Sequence, residues 1–161
     1  TIKKKDELNF VHSGHLGDLI YSFAVVKEIA KSRKCNFFVR INKKMPVNYP
    51  NHPSGNVYLD ERIVNLLLPL LLNQSFINKS GIYQGEDIDI DLDFFREIPI
   101  DIRFHSVRWY MHLTGIHADM NLPFVESKDH ESIRNNIIIL VDFINIIIYF
   151  INKYKDSKIL I

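Results

Sequence analysis

The sequence is short of cysteine, of unbalanced charge and of long charge-free apolar runs, and each shortage excludes a class of protein. One cysteine, Cys35, in 161 residues rules out an internal disulfide framework and fits a reducing, cytoplasmic setting. Beside a run of apolar residues it reads as packing rather than as a nucleophile. Twenty basic residues stand against 19 acidic ones, so no surplus of positive charge exists to neutralise a phosphate backbone, and nucleic acid is not expected as the main partner. The lysines at 3–5 form the only basic cluster, which a solvated terminus explains. A signal peptide is not expected, because the opening residues are charged and no apolar core with a small-residue cleavage site follows. Two apolar runs, 63–72 and 137–151, fall short of the ~20 uninterrupted residues that a bilayer crossing requires. Asn65 and Pro69 break the first; Asp142 and Asn145 break the second. Both read as buried elements, and the second leaves peripheral contact with a membrane surface open. Internal repeats and low-complexity segments are also lacking. Apolar mass, in contrast, is ample at 47%, enough for a domain-sized core.

The chemistry concentrates in His12-Ser13-Gly14-His15-Leu16-Gly17-Asp18-Leu19-Ile20-Tyr21. Ahead of it, Leu8, Phe10 and Val11 predict a buried first strand. Behind it, Leu19, Ile20, Phe23, Val26, Ile29 and Ala30 recur at helical spacing, with Lys27, Glu28, Lys31 and Arg33 on the remaining faces. Gly14 and Gly17 give a strand-to-helix turn the backbone freedom it needs. The first amides of such a helix are a ready seat for a phosphate or another anion. The spacing G-x-x-G falls short of the dinucleotide fingerprint, and no Gly-Lys-Ser/Thr completes a P-loop. On the residues alone, two readings stand: an anion-binding turn that ends on an acid, and a tight turn in which Asp18 caps the helix.

The run from Ser13 to Val26 resembles the opening motif of the heptosyltransferase-like glycosyltransferases, the lipopolysaccharide family with the GT-B fold: a first strand, a Leu-Gly-Asp turn, apolar residues, then more helix. Ala24 stands where that family usually carries proline, and the likeness covers the first thirty to forty residues. The resemblance implies inverting sugar transfer from a nucleotide-sugar donor to a saccharide or glycolipid acceptor. It makes Asp18 the base that deprotonates the acceptor hydroxyl and requires neither metal nor another cofactor. It also puts Ser13, Gly14, His15 and Gly17 near the donor phosphates or the reacting centre.

After the first helix, Phe37, Phe38, Val39 and Ile41 predict a second, parallel strand and hence a βαβ unit. Residues 42–56, with Pro46, Pro50, Pro53 and Gly55, predict a long irregular loop. Following a strand's carboxyl end, it is expected beside the Gly14 to Asp18 turn. Residues 59–73 predict a helix apolar all round and therefore buried, with Pro69 kinking it or ending its first part. Residues 75–83 predict a strand. Residues 87–93 alternate Asp with Ile, Ile and Leu, which predicts a half-buried strand with a solvated acidic face. An EF-hand loop from Asp89 fails because Phe94 and Ile100 stand where glycine and glutamate are needed. Only the last aspartates are placed to face a crevice. Residues 104–114 predict a helix stopped by Gly115, with His105, Arg108 and His112 on one face. Arg108 and His105 are candidate contacts for an acceptor or phosphate, against the alternative of a partly exposed face anchored by Trp109 and Tyr110. Zinc is not expected there.

These features predict an α/β, Rossmann-like three-layer sandwich with a mainly parallel sheet, similar to the N-terminal domain of a GT-B enzyme. Residues 1–126 form the acceptor-side domain, and 127–161 form a linker and the incomplete start of a second α/β unit. By that reading the 161 residues alone transfer no sugar. Two other readings remain. One is a different nucleotide-binding enzyme half, although Arg40, Ile41 and Asn42 stand where a dehydrogenase carries its acid. The other is a non-catalytic remnant or interaction domain.

Overall fold

The computed structural model describes residues 5–47, 49–101 and 103–126. The expected second unit, 127–161, lies outside them. Strand β1 (Glu7–His12) runs into helix α1 (Leu16–Ala30), and β2 (Lys34–Val39) follows. An arm over residues 42–58 leads to α2 (Glu61–Leu72) and β3 (Lys79–Ile82). A two-residue strand β4 (Ile90–Asp91) turns directly into a 3-10 helix (Leu92–Arg96), and α3 (Ser106–Thr114) closes the described chain. The four strands form one parallel sheet in the order β3-β2-β1-β4, an α/β, Rossmann-like arrangement. Among the described residues no helix is long and apolar enough to cross a membrane.

Strand alternation sorts the sheet into two unlike faces. Leu8, Phe10, Phe37 and Val39 share one core cluster with Leu19, Phe23 and Val26 of α1, Leu67 and Leu71 of α2, and Val107 and Tyr110 of α3. Opposite them stand Glu7, Asn9 and Asn36. Asn36 is buried there, and its side chain donates to Glu7 (2.6 Å) and Asn9 (2.7 Å) while accepting from Asn78 (2.9 Å). Residues 83–89 cross this second face: Tyr83 N donates to Val39 O, Asp89 N to Asn9 O, and the Asn9 side-chain amide to Asp87 O. They carry the chain from β3, at one edge, to β4, at the other.

Three elements differ from expectation. Helix α2 is buried along a single stripe, Val64, Leu67 and Leu71, and exposes Leu66 and Leu72. Pro69 lies inside it without ending it. Proline removes the amide that would bond back to Asn65 O, and both residues lie on the exposed side of the helix. The strand expected over 75–83 shrinks to β3. The alternating run 87–93 becomes two residues of strand, because Asp91 caps the 3-10 helix by accepting from Asp93 N (2.9 Å) and so turns the chain off the sheet.

Candidate functional site

The order of strands reverses between β1 and β4: from β1 the chain steps to β2 and β3 on one side, then returns to β4 on the other. In open parallel sheets the crevice forms outside the carboxyl ends of the strands at such a point. Here that place is filled by the turn after β1, residues 12–18, and the 3-10 helix after β4. Gly14 admits the second element to the first. A Cβ at that position would lie 2.7 Å from Arg96 Nη2 and 2.9 Å from the His12 ring, so a larger residue there would displace the guanidinium.

Arg96 joins the two elements. Its Nη2 donates to Asp18 (2.6 Å) and its Nη1 to Asp93 (2.7 Å). Its guanidinium lies over the rings of Phe95 (4.3 Å) and Tyr58 (5.3 Å). Asp93 is only 4% exposed and fully engaged: Ser13 Oγ donates to it, and Lys43 Nζ from the arm approaches to 3.3 Å. Below it His12 is entirely buried. The Gly14 amide donates to His12 Nδ1 (3.0 Å), which places the ring proton on Nε2, facing the Tyr110 hydroxyl at 2.9 Å. With Nδ1 accepting, the 3.7 Å approach of Asp93 to that nitrogen is not an ion pair. Burial holds His12 down at about 4, so the ring is neutral at pH 7. Burial likewise pushes the Tyr110 hydroxyl up, and the Asp18 charge adds to the effect.

Asp18 lies in the first turn of α1, where the helix dipole and free amides favour a charged carboxylate. Burial outweighs them and raises Asp18 above the ordinary carboxylate range, with Arg96 and then His15 pulling the other way. The carboxylate accepts from Arg96, and the N-cap residue of its own helix is His15.

Of the other residues singled out in the sequence, Ser13 is buried and committed to Asp93. The Gly14 amide is likewise taken up by His12, and neither group is open to a phosphate. Gly17 sits in the first turn of α1. His15 makes no side-chain bond to the helix amides and stands edge-on to Tyr58 (4.7 Å), near His52 (5.6 Å) and Tyr49 (6.1 Å), so the arm does lie beside the turn. His105 is the N-cap of α3 and packs on Tyr21 (5.2 Å). Arg108 is separate: it reaches over Phe104 (5.7 Å) into a cavity of about 1080 Å³ that Trp109, His112 and Met120 also line. That cavity does not include Asp18, Asp93 or Arg96, where the buried charges converge. Among the described residues no group of three or more His, Cys, Asp or Glu side chains could hold a metal ion.

Sequence reasoning missed Arg96, Lys43, Tyr58 and Tyr110 as members of the site. Asp93 carried a partial signal, as the last carboxylate of the alternating run. Arg96 had none, since nothing in the spacing ties it to Asp18, 78 positions earlier. No family model, no curated protein and no solved structure matches the chain.

Proposed function

We propose that the chain is the acceptor-side half of an inverting glycosyltransferase in which Asp18 is the general base. The observation that carries this reading is a carboxylate at the point where strand order reverses, raised by burial and held by Arg96 of the neighbouring element. A raised carboxylate is the better base at neutral pH. In the reaction, an Asp18 oxygen takes the proton of the acceptor hydroxyl, whose oxygen attacks the anomeric carbon of the donor. The bond from that carbon to the nucleoside diphosphate breaks, and the diphosphate leaves with the electron pair. The start of α1 favours negative charge there. The acceptor is a saccharide or glycolipid of the lipopolysaccharide type, the donor a nucleotide sugar, and the setting cytoplasmic, where one buried thiol, with its pKa raised to about 11 by burial, stays reduced and unreactive.

Replacement tests the assignment. In a protein that joins this chain to a complete second α/β domain, Asp18→Asn keeps the shape and removes the base, and transfer from nucleotide sugars should fall by about 10²–10⁴-fold with acceptor affinity little changed. Transfer at the full rate by a folded Asp18→Asn protein would remove Asp18 from the chemistry. The Arg96 ion pair favours a second reading, in which Asp18 only ties α1 to the 3-10 helix. Under it, Asp18→Asn lowers stability and no ligand touches the turn.

A further inference from the structure

We propose that Arg96 is a shared counter-ion, handed over from Asp18 to an anionic group of the bound ligand, such as a phosphate, so that the Asp18 carboxylate is freed when the site is loaded. The proposal rests on the reading of Asp18 as base and adds how that base is switched on. Arg96 meets its carboxylates through separate nitrogens, and the two contacts are not equivalent. Asp93 sits on the same 3-10 helix, 4% exposed, fixed by Ser13 and Lys43. Asp18 belongs to another element and is 21% exposed. The rings of Phe95 and Tyr58 stack on the guanidinium, and Gly14 leaves the gap it occupies. Arg96 therefore stays in place when the Asp18 contact opens. A phosphate oxygen accepts from the released Nη2 in the same charge-assisted way, and the group's larger negative charge favours the exchange.

The charges facing Asp18 set the sign. Arg96 from the 3-10 helix and His15 from the start of α1 lower its proton affinity, while burial and Asp93 raise it. Tyr110 on α3 and Tyr21 on α1 are raised by burial and then by the Asp18 charge, and both are neutral at pH 7. Lys43 faces Asp93. Drawing the guanidinium charge onto a bound dianion leaves burial and Asp93 dominant, so the Asp18 carboxyl should bind its proton more tightly.

Sulfate is the probe, because its charge does not change over the carboxylate range. The Asp18 carboxyl carbon, assigned by its loss in Asp18→Asn, is titrated by 13C NMR in the 161-residue chain, in sulfate and in chloride of equal ionic strength. The expected result is a midpoint higher in sulfate by about one unit, a tenfold gain in proton affinity. In Arg96→Gln the midpoint is raised already and sulfate does not move it. Should that variant not fold, Gly14→Ala, whose added carbon would meet Arg96 Nη2 at 2.7 Å, is expected to behave in the same way. A wild-type midpoint that ignores sulfate overturns the proposal, and so does an equal sulfate shift in both variants. A sulfate shift in the wild type, together with full transfer by Asp18→Asn, would keep the exchange and discard the base.

Discussion

His12 has no charge in the folded protein at neutral pH, and this decides how the molecule responds to acid. Its folded pKa, about 4, is depressed below the ordinary 6.5 by burial. Between these values the unfolded chain binds a proton that the folded chain does not. Unfolding free energy therefore falls as pH drops from about 6.5 to 4, by about 3 kcal/mol from this residue alone, and the loss levels off below that. Asp18, raised by burial, works in the opposite sense and favours the fold as its carboxyl protonates. Urea denaturation at pH 7 and at pH 4.5 should show the net loss, and His12→Phe should remove most of it while leaving Tyr110 without its partner. An unchanged pH slope in a folded His12→Phe protein would show that the ring is not the cause. The residues of this turn were legible because His12, Ser13, Gly14 and Asp18 are contiguous. Their partners Asp93, Arg96 and Tyr110 were not, because proximity created by a sheet leaves no trace in spacing.

The elements show what periodicity can and cannot carry. The apolar positions from Leu19 to Ala30 all fall within helix α1, but its middle is buried on every side, Ser22, Ala24 and Val25 as well as Phe23 and Val26. Helix α2 reads as apolar on all sides, yet only the Val64, Leu67 and Leu71 stripe finds a partner, since composition says nothing about which face a neighbour covers. The consequence is measurable. Leu67→Ala, at a fully buried position, should cost 2–5 kcal/mol of unfolding free energy by urea denaturation, about the range for emptying a packed leucine site. Leu72→Ala, at a position 58% exposed, should stay within about 0.5 kcal/mol. Equal losses would mean that α2 is buried all round, as its composition suggests. In the acidic run a local bond overrode alternation: Asp91 accepting from Asp93 N starts a 3-10 turn, and this brings Asp93 and Arg96 to the mouth of β1. A strand continued through Asp93 would have carried them elsewhere.

At the scale of the whole molecule, the parallel α/β class followed from the strand, helix, strand rhythm, but the order of strands did not. Only the order β3-β2-β1-β4 makes the mouth of β1 the place where the connections diverge to opposite sides of the sheet. Residues 83–89 bring this about by crossing the sheet's second face, and their polar sequence carries no mark of that path. Two places then compete as ligand sites: the charged mouth at Asp18 and Arg96, and the cavity of about 1080 Å³ beside α3 that holds Arg108. The account selects the first. The most direct measurement is an amide NMR titration of the chain with nucleotide sugars and phosphorylated monosaccharides, comparing the resonances of Gly14, Asp18, Lys43 and Arg96 with those of Arg108, His112 and Met120. The account predicts that the first set moves and saturates while the second stays still. Saturable shifts confined to the residues beside α3 would contradict it.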